Sequence, residues 1–167
     1  MQNKKLVLGA LLMALTVIMQ SLRLVLPMPP VVSTFIIGTL VNMMLIITSR
    51  ISGFKAAALL TILLPLLAYI QGQLLLPLLI PVVIAGNLLY VVLLRQKRAF
   101  VFNYLLPPAV KALLMYLGAY IILSFLQLEN SVLVKNILFG MSVPQFVTGL
   151  LGVIAAERIL VKLNKSY

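Results

Sequence analysis

The sequence predicts an all-α integral membrane protein, a bundle of about six transmembrane helices with both termini in the cytoplasm. Of its 167 residues, 63% are hydrophobic and only 9% are charged, and the mean hydropathy is +1.22. A soluble domain of this length needs far more polar surface. Because one helical crossing takes roughly 20 apolar residues, six crossings and short loops account for the chain. A single transmembrane domain over residues 1–167 follows.

Prolines, glycines and short polar runs divide the chain into the predicted helices. These cover residues 6–26, 33–49, 55–70, 77–94, 107–126 and 132–160. No small-residue cleavage site follows the basic start and its apolar run, so the first segment is predicted to be a retained helix. Within 55–94, Pro65, Pro77 and Pro81 interrupt apolar sequence. A re-entrant piece is therefore an alternative to two full crossings in that region.

The distribution of basic residues predicts the orientation. The chain has thirteen lysines and arginines and a net charge of +11. With the N-terminus inside, six crossings place all of these residues on the cytoplasmic side except Arg23, Lys111 and Lys135. Because the cations lie between apolar segments, they indicate orientation and contact with anionic lipid instead of nucleic-acid binding.

The residue inventory argues against catalysis. The chain contains no cysteine and no histidine, and Glu129 and Glu157 are its two acids. Disulfides, thiol chemistry, His-based triads and HExxH zinc sites are therefore excluded. We expect a protein that is not an enzyme and that holds neither a metal nor a cofactor.

Two small residues in the first predicted helix mark a candidate contact surface. Ala10 and Ala14 are one turn apart and form a flat patch that allows close approach of another helix. Packing within the protein's own bundle is the plain alternative. A short six-helix chain with AxxxA in its first helix resembles the substrate-capture (S) component of energy-coupling-factor transporters. Segments 86–90 and 144–152 are also similar to parts of such components.

The resemblance implies a role and a set of partners. In that family, a membrane-embedded binder takes up a vitamin-like molecule from outside the prokaryotic cytoplasmic membrane. It then docks on a coupling membrane protein driven by two ATPase subunits. By resemblance, Ala10 and Ala14 would be docking residues. This chain has no phosphate-binding glycine-rich loop, so any ATP hydrolysis is expected from the partners.

The polar residues in or beside the predicted helices are the candidate substrate ligands. They are Tyr69, Gln73, Asn87, Lys111, Lys135, Phe139 and Gln145. A lysine within a membrane helix usually faces a cavity or a partner. Alternatively, the Pro107–Pro108 pair starts the helix near the cytoplasm and lets Lys111 snorkel to the surface. By helical spacing, Tyr116 and Tyr120 lie on a different face from Lys111.

The outer end of the bundle offers the remaining candidates. Lys135 is predicted to share a face with Phe139, and a cation beside an aromatic ring suits an acidic or heteroaromatic ligand. Arg23 near the first outer loop is a similar candidate. The amides of Asn87 and Gln145 need hydrogen-bond partners in the membrane, from other helices or from a ligand. Tyr69 and Gln73 lie near the outer end of the third helix, where they could line a lid or mark the interface.

The leading hypothesis is thus a subunit that captures a small heteroaromatic compound. This compound is expected to be neutral or anionic, because the scarcity of acidic residues disfavours a cationic ligand. A stand-alone channel or facilitator is one alternative, although it needs a polar path across the bilayer. A structural subunit of a membrane complex is another.

Overall fold

A computed structural model describes residues 2–95, 102, 104–128 and 131–165. Its regular elements, in this part of the chain, are seven α-helices and one short 3-10 turn at Pro77–Leu79. The helices are α1 Gln2–Val25, α2 Pro30–Ile51, α3 Phe54–Ile70, α4 Ile80–Arg95, α5 Leu106–Leu126, α6 Ser131–Gly140 and α7 Val143–Lys165. The predicted all-α bundle is confirmed.

Five stretches of the described chain are long and apolar enough to cross a membrane. They are 3–25, 30–51, 77–94, 106–126 and 131–163. The chain is therefore a multi-pass membrane protein. Helix α3 has only 17 residues, about 25 Å at 1.5 Å per residue, slightly less than the roughly 30 Å of a hydrocarbon core.

Helix α3 nevertheless traverses the bundle from one end to the other. Near its start, Ala56 approaches Gly9 of α1, with 3.5 Å between the Ala56 Cβ and an ideal Cβ on the glycine. Further along, the Leu64 carbonyl accepts a hydrogen bond from Gln20 Nε2 at 2.9 Å, and just after the helix Gln71 Nε2 donates to Ser21 Oγ at 2.9 Å. Helix α3 thus runs beside α1, as two crossings within 55–94 require, and the two-crossing interpretation stays a prediction.

The prediction of a single last helix over 132–160 is wrong. The structure divides this segment into α6 and α7, with a break at Met141–Ser142. Pro144 explains the break. Proline has no N–H to continue the hydrogen-bond ladder, and its ring clashes with the carbonyl four residues earlier, which here belongs to Gly140. The Ser142 hydroxyl instead donates to the Phe139 carbonyl at 2.9 Å. The first helix also begins earlier than predicted, at Gln2.

Helix α2 is the central element of the bundle. All residues from Asn42 to Thr48 are buried, as expected for a helix that is apolar on every side and surrounded by other helices. It contacts α1, α3, α4 and α7. A second apolar cluster joins the start of α4 to α5 and α6 and includes Leu79, Met115 and Ile137.

Helices α2 and α7 approach each other closely. A Cβ built on Gly152 would lie 2.7 Å from the Asn42 Cβ and 3.0 Å from the Met43 backbone nitrogen. Only glycine leaves room for this contact, which is the usual way in which small residues bring membrane helices together.

Basic residues gather at one end of the bundle, which we call the basic end. There, Arg50 Nη2 donates to the Leu94 carbonyl at 2.8 Å and lies 3.8 Å from Glu157 Oε1. The Arg95 guanidinium lies 4.9 Å from the centroid of the Phe54 ring. The opposite end, where the 26–29 and 71–76 connections lie, is called the outer end. The charge asymmetry predicts that the basic end faces the cytoplasm.

Single cysteines test this orientation, since the natural chain has none. Pro27 and Lys55 are exposed at opposite ends of the bundle. In intact cells, Pro27→Cys should react with a membrane-impermeant maleimide, whereas Lys55→Cys should react only after permeabilisation. The reverse pattern would show that the orientation is inverted.

A second prediction concerns the contact of α2 with α7. Gly152→Ala should lower the free energy of unfolding by about 1–3 kcal/mol, because the added methyl group pushes the two helices apart. Gly140→Ala is the matched control, since no heavy atom lies within 4 Å of a Cβ there. Thermal unfolding in detergent compares the two. Equal midpoints would contradict the close contact.

Candidate functional site

A partly enclosed cavity of about 310 Å³ lies at the outer end of the bundle. Ligand pockets usually have volumes of about 300–1,000 Å³ and combine apolar walls with a few polar groups. The polar side chains that line this cavity are Arg23, Thr34, Gln73, Asn136, Gln145 and Thr148. Leucine, valine, isoleucine and methionine form most of the remaining wall. The cavity therefore has the composition of a small-molecule site.

Arg23 is the cation of this cavity. It lies in the last turn of α1 and is half-buried, and its Nη2 donates to Thr34 Oγ1 at 3.3 Å. The Thr34 hydroxyl in turn donates to the Pro30 carbonyl at 2.8 Å. The Nε of Arg23 is buried and has no hydrogen-bond partner within the described residues. This guanidinium is therefore held in place with donor capacity left over.

The turn after α3 places Gln73 at the cavity. Gln71 Nε2 donates to Ser21 Oγ at 2.9 Å, and Gln73 Nε2 donates to Gln71 Oε1 at 2.7 Å. Gly72 between them has a φ of +69°, a conformation that glycine adopts without strain. The turn is thus tied to the end of α1 that carries Arg23.

The break between α6 and α7 places the polar groups of the opposite wall. Asn136 lies on α6, and Gln145 lies in the first turn of α7. Gln145 Nε2 donates to the Gly140 carbonyl across the break at 3.2 Å. Thr148, one turn further along α7, is buried at the cavity wall.

Beneath the cavity, a buried polar network joins three helices. Lys111 Nζ of α5 donates to Asn42 Oδ1 of α2 at 2.5 Å. Asn42 Nδ2 donates to Thr148 Oγ1 of α7 at 3.2 Å and to the Gly38 carbonyl at 2.9 Å. The Thr148 hydroxyl donates to the Pro144 carbonyl at 2.7 Å. Since Gly38 and Thr148 also line the cavity, the network supports its inner wall.

Lys111 does not snorkel to the surface. Only 2% of the side chain is exposed, and its Nζ lies 5.0 Å from the centroid of the Tyr90 ring, where the aromatic face attracts a cation. The Tyr90 hydroxyl donates to the Gly149 carbonyl at 2.7 Å, which adds α4 to the assembly. Of the two alternatives for Lys111, the structure favours the one inside the bundle. Tyr116 and Tyr120 stack on each other on an exposed face of α5, separate from Lys111 as predicted.

The structure brings together only part of the predicted substrate-binding set. Gln73 and Gln145 line the cavity, and Lys111 reaches its wall through Asn42. Asn87 is buried in α4 and does not line the cavity. The other three predicted residues are exposed and are also absent from the lining: Tyr69, Lys135 and Phe139. The pair of Lys135 with Phe139 is therefore not part of this site.

Several lining residues were not predicted from the sequence, notably Thr34, Asn136 and Thr148, together with Asn42 beneath them. Isolated threonines and asparagines in apolar helices form no motif of their own. One signal was present, however. Gly38 and Asn42 are one turn apart in α2, as are Thr148 and Gly152 in α7. In each helix this spacing pairs a small residue with a polar one on one face.

Comparisons of the chain with protein-family models, with curated proteins and with solved structures found no match. Within the described residues, no group of three or more His, Cys, Asp or Glu side chains is placed to hold a metal ion. The function is therefore inferred from the cavity, from the network beneath it and from the exposed helix faces.

The network makes a prediction about stability. Asn42→Leu should lower the free energy of unfolding by about 3–5 kcal/mol, because it leaves the Lys111 ammonium buried without its acceptor. Adding Lys111→Met should recover part of that loss, since the double variant no longer buries a charge. Lys135→Met, which removes an exposed lysine, should change little. Thermal unfolding in detergent measures all three. A double variant less stable than Asn42→Leu alone would refute the pairing.

Proposed function

We propose that this chain is the substrate-capture subunit of an energy-coupling-factor type importer in a prokaryotic cytoplasmic membrane. It takes a small vitamin-like molecule from the outside into the cavity at the outer end. It then docks on a coupling membrane protein that two ATPase subunits drive. The observation that carries the proposal is the polar-lined cavity at the end of the bundle opposite the basic residues.

The position of the cavity supports capture from outside. Its polar groups come from the ends of α1, α2, α6 and α7 and from the turn after α3, all at the outer end. If the basic end is cytoplasmic, the cavity opens toward the exterior. A few polar side chains on mostly apolar walls are suited to selective binding of a small solute.

The exposed face of α1 supports docking on a partner in the membrane. Ala10 and Ala14 are both exposed, so the bundle leaves part of each side chain available to another helix. Their neighbour Gly9 is instead buried beside Ser52 and Ala56. An exposed pair of alanines one turn apart offers a flat surface to a second membrane helix.

The packing beneath the cavity argues against a stand-alone channel. A conducting pore needs a polar path through the whole bilayer. Below Asn42, the buried residues of α2 pack against apolar side chains of α3, α4 and α7, among them Leu60, Val91 and Val153. In the described part of the chain, the cavity ends above this apolar layer. Such a closed base suits a binder that depends on a partner for release.

Bulky residues at the alanine pair test the docking step. Ala10→Trp with Ala14→Trp should leave folding intact, because both positions are exposed, but should abolish association with the coupling protein. Leu15→Trp is the matched control, since Leu15 is 42% exposed and lies on the other side of the exposed face of α1. The measurement is co-purification from the native membrane with identification of the bound proteins by mass spectrometry.

The same purification tests the proposed role as a whole. The wild-type chain should bring down a coupling membrane protein and two ATPases. If the tryptophan pair leaves uptake and partner association unchanged, the docking assignment is wrong. If the wild-type chain brings down no ATPase, the importer role itself is wrong.

A further inference from the structure

We infer that the ligand of the outer cavity is a small amphipathic monocarboxylate, whose carboxylate pairs with Arg23 and whose aliphatic part lies against the apolar wall. This inference rests on the proposed capture function, because it names the chemical class of the molecule that the cavity takes. It concerns ligand chemistry alone and does not depend on which partners energise uptake.

Within the described residues, the guanidinium of Arg23 has no carboxylate partner. Its one described hydrogen bond is the 3.3 Å contact to the Thr34 hydroxyl, and its buried Nε has none. Of the two acids in the chain, Glu157 lies beside Arg50 at the basic end, and Glu129 lies outside the described residues. A half-buried cation is costly without an opposing charge. An oxyanion can accept two hydrogen bonds from one guanidinium, which makes a carboxylate its natural complement.

The charged side chains at the cavity also limit the ligand to one negative charge. Arg23 is the only charged side chain in the described lining of the cavity. A second anionic group on the ligand would enter this partly enclosed space without a partner. A cationic ligand would meet Arg23 with no described carboxylate to offset the repulsion. A monoanion is therefore the best electrostatic match.

The walls indicate the rest of the ligand. The apolar lining includes Leu74, Leu79, Val83, Ile137 and Met141, and the described lining contains no aromatic residue. The site thus offers contact with an aliphatic body instead of a ring-stacking surface. This departs from the heteroaromatic ligand expected from the sequence, because the ring of Phe139 does not line the cavity.

Two amides supply specificity at the rim. Gln73 and Gln145 each use the amide nitrogen internally, toward Gln71 Oε1 and the Gly140 carbonyl. Each can therefore present its amide oxygen to a ligand as an acceptor. A hydroxyl or amide N–H on the ligand, in addition to the carboxylate, fits this arrangement.

A lipid phosphate is the other possible source of an oxyanion, because Arg23 lies near the end of a membrane helix. The structure favours a solute. Arg23 lines a cavity that α1, α2, α3, α4, α6 and α7 partly enclose, not a flat lipid-facing surface. The experiment therefore includes a lipid arm.

The test uses the full-length protein in nanodiscs of neutral phosphatidylcholine, with thermal unfolding as the readout. The probe is the anion-exchange-retained fraction of yeast extract, compared with the same fraction after its carboxylates are converted to amides. The retained fraction should raise the Tm of the wild-type chain, and the amidated fraction should not. Arg23→Gln should weaken binding by roughly tenfold or more, as expected for loss of a charge-assisted pair.

Two further variants distinguish loss of binding from loss of folding. Lys135→Gln removes another outer-end cation that does not line the cavity, and it should respond like the wild type. Arg23→Lys keeps the charge but loses the planar fork, so its response should lie between those of the wild type and Arg23→Gln. The midpoints without ligand show whether each variant is folded.

Three results would overturn the inference. One is a Tm rise that survives amidation of the probe, and another is an unchanged response in Arg23→Gln. The third is the absence of any response to the retained fraction in neutral lipid. In that last case, stabilisation by phosphatidylglycerol nanodiscs that Arg23→Gln abolishes would assign the guanidinium to a lipid headgroup.

Failure of this inference can be distinguished from failure of the proposed function. Suppose that binding requires the ligand's carboxylate but no ATPases co-purify. The inferred ligand class would then stand, and the importer role would be rejected. If ATPases co-purify but neutral compounds bind independently of Arg23, the importer role would stand and the monocarboxylate ligand would be rejected.

Discussion

The hydrogen bond between the Lys111 ammonium and Asn42 is the contact on which the rest of the structure depends. It buries a charge in the middle of an apolar bundle, where an unpaired ammonium is costly. Its acceptor is an amide that also donates to Thr148 and to the Gly38 carbonyl. The ring of Tyr90 faces the same ammonium, and the Tyr90 hydroxyl binds the α7 backbone. Four helices are thereby fixed against one another at the level where the outer cavity ends, so the shape of the cavity and the stability of the bundle have a common origin.

Because the chain has few charged side chains, the surroundings of each one are informative. Most of the basic residues belong to the end of the bundle predicted to be cytoplasmic, where Arg50 and Arg95 find carbonyl, carboxylate and aromatic partners. Lys111 has the polar network, and Lys135 is exposed. Arg23 differs from these, because it is half-buried at a cavity and retains an unused buried donor. Because no carboxylate of the described residues lies at this cavity, the carboxylate inferred for the ligand would supply the opposing charge.

The sequence alone was sufficient for the fold class and for most of the helices, because lipid solvation requires long apolar runs and turn residues separate them. It failed at Met141–Ser142, where a predominantly apolar segment was taken as one helix and Pro144 interrupts the helical ladder. For the site, charge and amide content pointed to Gln73, Gln145 and Lys111. Helical spacing, however, could not show that Phe139 lies outside the cavity or that Asn42 bridges Lys111 to Thr148. Those relations depend on how helices distant in sequence pack together, which periodicity within one helix does not record.

The glycine at position 152 has a consequence for how this protein can evolve. Its missing side chain allows α7 to lie against Asn42, and Asn42 in turn is the acceptor for Lys111. Position 42 is thus tied to Lys111 by a hydrogen bond of its amide group and to Gly152 by the close approach of the two backbones. A lineage that loses the lysine no longer needs the asparagine. The glycine stays constrained, however, because its close contacts are the Cβ at position 42 and the Met43 backbone nitrogen, which do not depend on the amide group of Asn42. Among descendants of this chain, we therefore expect the lysine and the asparagine to change together, with the lysine first, while the glycine is retained.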